Sequence, residues 1–353
     1  MANSLRNKRL FLVNMVKIMA FVGCLLGLLI IVVQVENMLL ASLLAFVISY
    51  LLGPIVNSME RLGVNRVVAA LLAFASVGLV LTLGIVAVLP LVVEQVGSLK
   101  QELPKYVSGL TKIMSDLQSN ATEIVGSQVD IDIAGQIESA LRPWTQALFE
   151  DLPAFVTKSI TTLLLAPFLA FFMIKDGKLL TRNLLNLVPN SIFEPTLNLY
   201  HQINEQMGHF VRARLLEALI VGVVTWIGLF IIEFPFATIL ALFAALTNLI
   251  PYVGPIIGAV PALAIAIING EPNFQLFLVG SVYLTAQLID AAFILPVVVA
   301  KIVDLHPITV VVSIMAGAQI LGVVGMLISI PVASILKVTV STVYRHLTDY
   351  REV

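Results

Sequence analysis

Asp290 is the residue of this chain best placed to do chemistry. It lies inside the apolar run Phe274–Ala300, with Gln287 one helical turn before it. A carboxylate at membrane depth is expensive to hold charged, and by default it marks a solute or ion pathway. A buried acid that takes up and returns a proton is what a proton-coupled carrier needs. The competing reading is a structural hydrogen bond to a neighbouring helix. A second constellation is Thr247-Asn248-Leu249-Ile250-Pro251-Tyr252-Val253-Gly254-Pro255. Pro251 and Pro255 remove backbone donors, and Gly254 relieves the backbone at a sharp turn. Carbonyls and helix ends freed in this way bind ions or polar solutes. Asn248 and Tyr252 stand beside the break, and the alternative is an ordinary proline kink in a tilted helix. A third constellation runs from Gln319 to Gly325, where Gln319 pairs with Asn248 as an amide beside a break. Arg212, Arg214 and Glu217 sit at the mouth of a further apolar run. Anchoring that helix at the interface is their main expected role, with a gate as the second.

The elements that position these residues follow from composition. The chain has 353 residues, 59% hydrophobic and 12% charged, with a mean hydropathy of +1.03. A soluble domain carries about 25% charged residues, so an ordinary globular protein is excluded. The apolar runs lack period-2 alternation, which selects helices over barrel strands. The predicted fold is therefore an all-α integral membrane protein. It has about eight apolar helical segments, two of them broken or re-entrant, and an extramembrane helical insert. The net charge of −1 argues against nucleic acid as a partner. The single cysteine, Cys24, excludes an intrachain disulfide and a zinc cluster. Asp130 and Asp132 lack the spacing and glycine of a calcium loop and read as helix caps. No metal or cofactor is expected.

The spans are Ile18–Val35, Met38–Val56, Val67–Val93, a short one over Ser159–Ile174, Leu215–Ile232 and Phe274–Ala300. The broken stretches are Pro235–Ile268 and Pro307–Leu336, each longer than the about 20 residues that cross a bilayer. The expected organisation is N-terminal transmembrane helices over residues 1–93, an extracytoplasmic helical insert over 94–158, and the fourth span with cytoplasmic amphipathic helices over 159–214. A transport core follows over 215–337, then a cytoplasmic tail over 338–353. Lys and Arg concentrate at the N-terminus (Arg6, Lys8, Arg9), between the second and third spans (Arg61, Arg66) and over 175–214. These loops are assigned to the cytoplasm, as is the tail with Lys337, Arg345 and Arg351. Both termini inside require an even number of crossings.

In the insert, Val96, Leu99, Leu103, Tyr106, Leu110, Ile113 and Leu117 repeat at spacings of 3 and 4, a heptad seam. A second seam holds Ile137, Leu141, Trp144 and Leu148. The two read as a helical hairpin packing on itself, with some oligomer role. Leu197, Tyr200, Ile203, Met207, Phe210 and Val211 form one face of an amphipathic helix at the membrane surface or against other helices. The two broken stretches align with each other, and each follows a span bearing an acid, Glu217 and Asp290. That pattern suggests one unit used twice. No nucleotide-binding loop GxxxxGK[ST], HExxH or nucleophile elbow occurs, which disfavours an ATP-driven pump and an enzyme.

Three features together resemble the autoinducer-2 exporter family of bacterial membrane proteins. They are Ala166-Pro167-Phe168-Leu169-Ala170-Phe171-Phe172-Met173-Ile174-Lys175-Asp176-Gly177, the segment Leu249 to Pro255, and Leu305-His306-Pro307 followed by Leu321-Gly322-Val323-Val324-Gly325 and Ile330-Pro331. The resemblance covers nearly the whole chain. It implies an inner-membrane secondary transporter that forms a homo-oligomer, with pentamers as the family's assembly. The family name implies export of autoinducer-2, a small polar furanone, while other members look like sodium/proton antiporters. The expected partners are thus the lipid bilayer, a small polar solute or monovalent cation, protons, and further copies of the chain. A membrane scaffold that transports nothing is the reading from a different class.

Overall fold

The computed structural model describes residues 38–125, 152–186, 193–250, 253–270, 273–292 and 305–349, with isolated positions elsewhere. The expected first span, the second seam of the insert, and Pro251 and Tyr252 lie outside the described residues. Eight helices are described: α1 Met38–Arg61, α2 Arg66–Val125, α3 Leu152–Leu185, α4 Phe193–Ile231, α5 Ala237–Thr247, α6 Gly254–Ile268, α7 Asn273–Ile289 and α8 Pro307–Asp349. Five helical stretches are long and apolar enough to cross a membrane: Met38–Arg61, Arg66–Ile113, Phe193–Ile231, Phe274–Ala292 and Ile308–Ser341. Their apolar surface faces outward. On α2, Leu79, Val80, Leu81, Leu83, Ile85 and Val86 are all more than half exposed. Patches of that size are rare on proteins dissolved in water, and lipid is the solvent that suits them.

Two helices run further than the sequence pattern suggests. The third span was expected to end at Val93, yet α2 continues through Pro90 and Pro104 to Val125. Its 60 residues extend about 90 Å. Good helix formers fill the junction (Glu94, Gln95, Leu99, Lys100, Gln101 and Glu102), so the change from apolar to polar is a change of solvent and not of backbone. The amphipathic segment and the fifth span are likewise one helix, α4, because no proline falls between Pro195 and Pro235.

The chain forms two compact units. The first comprises Met1–Gly78, Thr157–Arg212 and Ile302–Val353. Its core packs Leu52 and Val56 of α1 against Ala69, Ala70 and Ala73 of α2 and Ile174 of α3. Arg66 Nε and Nη2 donate to the Ile174 carbonyl at 2.8 and 2.6 Å. Glu60 accepts from Arg66 and from Lys178 Nζ, both at 2.7 Å. Helix α8 is folded back on itself at Leu321 and Gly322, whose backbones leave the helical region. Gly322 has φ +60, a conformation that costs a side-chain-bearing residue energy. On a straight helix Gly317 and Gly325 would lie about 12 Å apart. Here a methyl added to either would strike the other's carbonyl oxygen. The two halves, 307–320 and 323–349, therefore cross at a glycine-to-glycine contact.

The second unit comprises Leu79–Val156 and Ala213–Lys301. Its centre is a helical hairpin made by α5 and α6. Gly254 approaches Thr247 so closely that a Cβ would strike the Thr247 carbonyl oxygen. One turn on, a Cβ at Gly258 would meet Thr247 Oγ1 at 2.9 Å and Ala244 Cα at 3.1 Å. Pro255 follows Gly254 in the first turn of α6, where its missing N–H leaves no helical bond unmade. Leu240, Ala262, Ile265 and Ala266 of the hairpin bury against Leu229 of α4, Val279 of α7 and Tyr106 of α2. Leu99 packs on the same cluster. Two members of the first heptad seam thus pack on the hairpin; the second seam, the partner expected for them, lies outside the described residues.

Candidate functional site

The hairpin brings its turn to a cluster of charged side chains in the second unit. Arg214 and Glu217 lie three residues apart on α4, one above the other on the same face. Arg214 Nη1 donates to both Glu217 oxygens, each at 2.6 Å. Asn248, the C-cap of α5, donates through Nδ2 to Glu217 Oε1 at 3.3 Å. Asp290 lines the same cavity as Arg214, Glu217 and Asn248. These groups are withdrawn from solvent almost completely: Arg214 is 8% exposed, Glu217 3%, Asp290 3% and Asn248 2%. Burial at that level requires pairing. The Arg214–Glu217 salt bridge and the Asn248 hydrogen bond supply it for Glu217. Asp290 Oδ1 is buried with no hydrogen-bond partner among the described residues.

The cluster forms one wall of a cavity of roughly 590 Å³. Its polar lining is Arg214, Glu217, Asn248, Tyr283, Gln287 and Asp290; the rest is largely small or apolar, including Val221, Ala244, Ile256, Ala259 and Leu263. Gly254 and Pro255 line it as well. Tyr283 and Gln287 of α7, with Asp290 just past its end, fall at i, i+4 and i+7 on one stripe. Regular α-helix ends at Ile289, and a π-helical turn covers 290–292. Asp290 therefore opens an irregular turn and does not sit mid-helix as the sequence suggests. Such turns gather at functional sites because they free backbone groups and re-aim side chains.

The sequence-predicted residues divide clearly. Asp290, Gln287, Asn248, Gly254 and Pro255 meet at this cavity, and Arg214 and Glu217 join them. The last two, expected to anchor the mouth of a span or to gate it, are buried and line the cavity with Asp290. Arg212 parts from them because two residues along a helix turn the side chain by about 200°. It belongs to the first unit, half-buried, and donates to the Tyr50 carbonyl at 3.2 Å. Gln319 and Gly325 also belong to the first unit and do not line the cavity. Gln319 is exposed and Gly325 is consumed by the crossing within α8. Tyr283 was not singled out from the sequence. Its hydroxyl is buried without a partner among the described residues, and the stripe it shares with Gln287 and Asp290 was the available signal. Among the described residues no group of His, Cys, Asp and Glu is arranged to hold a metal ion.

The chain matches a family model described as "AI-2E family transporter" over residues 18–345. It is 26% identical to YueF of Bacillus subtilis over 318 residues, covering 87% of this chain and 84% of YueF. It is 26% identical to YrrI of the same organism over 330 residues, 90% and 89% of the two chains. The AI-2 transport protein TqsA of Escherichia coli is 25% identical over 334 residues, 94% of this chain and 93% of TqsA. A hydrophobic, multi-helix chain that matches one transporter family from its first apolar segment to its tail belongs to that family: it is an AI-2E family transporter, a multi-pass secondary transporter of the bacterial inner membrane and not an enzyme.

Proposed function

We propose that the protein exports a small polar metabolite in exchange for protons, with autoinducer-2 as the leading candidate. The observation that carries this reading is the pairing of two carboxyls and one guanidinium on the wall of a roughly 590 Å³ cavity. With Arg214, Glu217 and Asp290 all ionised the cluster carries one net negative charge, and with one proton it is neutral. Loading or releasing that proton changes the electrostatics of the cavity without moving the backbone. The volume falls within the range of about 300–1,000 Å³ typical of small-molecule sites. Its mixed lining of apolar walls and a few polar groups suits a compact, oxygen-rich solute. The resemblance to a relative named for AI-2 transport supports the same substrate class.

In this reading the hairpin of α5 and α6 enters the bilayer without crossing it. Helices α5 and α6, with 11 and 15 residues, reach about 16 and 22 Å, short of the about 30 Å of hydrocarbon. The termini are cytoplasmic, residues 94–158 lie outside, and the chain assembles as a homo-oligomer, a pentamer by analogy with the family.

A second reading is a monovalent cation/proton antiporter, for sodium or lithium. It is favoured by the orphaned Asp290 Oδ1, an oxygen that a desolvated cation would satisfy as well as a proton. Purified protein in proteoliposomes with an imposed proton gradient separates the two. Autoinducer-2 flux that collapses in Asp290→Asn, with the protein still assembled, supports the exporter. Sodium-dependent proton release with no metabolite supports the antiporter. A scaffold predicts neither flux, and it loses function through the α2 seam and not through Gly254 or Asp290.

A further inference from the structure

Helix α5 begins without a cap of its own. Its N-cap residue, Phe236, sits at φ +60 and makes no side-chain hydrogen bond to the helix. The first N–H groups of a helix lack internal partners, and with Thr238 only 6% exposed water has little access to serve them. A residue 143 positions earlier fills the gap. Gln95 of α2 accepts, through its single Oε1, the N–H groups of Thr238 and Ile239, both at 3.1 Å. These are the second and third helical N–H groups, the ones that an N-cap side chain ordinarily takes. The same amide donates through Nε2 to Thr238 Oγ1 at 3.3 Å, and Trp226 Nε1 donates to that hydroxyl as well.

We propose that Gln95 is a positioning residue for transport: from α2 it caps the hairpin helix α5 and so holds the Asn248 end of that helix against Glu217. The inference rests on the reading of Glu217, Asn248 and Asp290 as the transport site. Helix α5 has 11 residues and is a rod of about 16 Å, so a displacement at Thr238 is delivered at Asn248. The Asn248–Glu217 bond is already long at 3.3 Å and tolerates little movement. Helix α2 grips the other leg of the hairpin too. Lys105 Nζ donates to Asn269, the C-cap of α6, at 2.6 Å. Tyr106 meets Phe236 edge-on, with ring centroids 6.2 Å apart. Both open ends of the hairpin are thereby tied to the helix that continues into the polar insert, and the turn facing the carboxyls is the end those ties leave unheld.

The test uses full-length protein in proteoliposomes and three variants. Gln95→Leu keeps the shape and removes both hydrogen-bonding functions. Gln95→Glu keeps the acceptor, and an anion suits a helix N-terminus. Gln95→Asn keeps the chemistry but withdraws it by one methylene. Gln95→Leu and Gln95→Asn are expected to slow flux by about tenfold or more, and Gln95→Glu to stay within about threefold, as judged by tenfold steps in rate. Gln95→Leu combined with Asn248→Ala is expected to be no slower than Asn248→Ala alone, because the two act through one contact. Additive losses, or Gln95→Glu failing like Gln95→Leu, overturn the proposal. Amide exchange gives a readout independent of flux: Gln95→Leu raises exchange across 237–248 as far as Asn248, and Gln95→Glu restores protection. Exchange unchanged, or raised only at 237–240, overturns the proposal even if flux falls. If Asn248→Ala transports normally, the transport-site reading fails, and the exchange experiment still decides whether Gln95 holds the hairpin.

Discussion

Adding one methyl group to the hairpin at Gly254 is expected to disable transport, while the same change one turn later is tolerated. At Gly254 the new Cβ would strike the Thr247 carbonyl oxygen, and it would lie 2.6 Å from the Thr247 carbonyl carbon and 2.7 Å from Asn248 Cα. All three are backbone atoms, so no rotamer change relieves the overlap. That carbonyl already accepts the Ile250 N–H at 2.9 Å, which fixes it in place. Ordinary contact begins near 3.4 Å, so the helices must separate by close to 1 Å at the turn, a strain of about 1–3 kcal/mol by the measure of overpacked cores. The same separation carries Asn248 beyond hydrogen-bonding range of Glu217, since their bond stands at 3.3 Å. A misplacement of about 1 Å in a reacting geometry costs about a hundredfold in rate. At Gly258 the nearest obstacle is Thr247 Oγ1 at 2.9 Å, a side-chain atom that can shift only by loosening its hydrogen bonds to the Phe243 and Ala244 carbonyls, and then Ala244 Cα at 3.1 Å. That relief needs a few tenths of an ångström, so the cost falls at the low end of the about 1–3 kcal/mol range. Proteoliposome flux and thermal unfolding in detergent measure both effects. Gly254→Ala should lose flux by at least about tenfold and melt earlier, with Gly258→Ala close to the parent. Equal behaviour of the two variants, or a fully active Gly254→Ala, refutes the backbone-contact argument.

Further outcomes follow from the charge cluster and the last helix. Arg214→Ala removes the 2.6 Å contacts to Glu217 and leaves two buried carboxyls on one cavity wall without their counter-charge, at a cost of about 3–5 kcal/mol. Combining it with Asp290→Asn removes one of those charges, so the double variant should unfold at a higher temperature than Arg214→Ala alone; no gain contradicts the proposed balance. Tyr283→Phe deletes a buried hydroxyl without a partner among the described residues, so stability should hold or rise slightly. A selective loss of flux there would make the hydroxyl a solute contact. Gly325→Ala forces a methyl into the Gly317 carbonyl and should destabilise α8 by about 1–3 kcal/mol. Thermal unfolding of the full chain measures this loss.

What the sequence determined by itself is what local chemistry and composition control. A chain with 12% charged residues has to be solvated by lipid, and its backbone then has to be helical. The break between Thr247 and Gly254 and the one at Leu321–Gly322 were legible because proline and glycine act on their own backbone. The motif at Leu249 to Pro255 pointed to the family by resemblance alone. Depth of burial was also legible for Asp290, since a carboxylate in an apolar run has few places to go.

Tertiary structure decided which residues meet. Glu217 and Asn248 touch across 31 positions of chain, and Gln95 caps a helix 143 positions away. Periodicity reports which face of a helix is buried, not against what, and apolar spans surrounded by lipid carry little periodicity to begin with. The paired acids looked like one in each copy of a repeat, yet both serve a single cavity in the second unit. Gln319, the amide expected to match Asn248, is exposed in the first. Arg214 and Glu217 looked like interface anchors because position along a helix fixes height in a membrane but not whether a neighbour closes over it. The hairpin of α5 and α6 closes over them, and only the folded chain places it there.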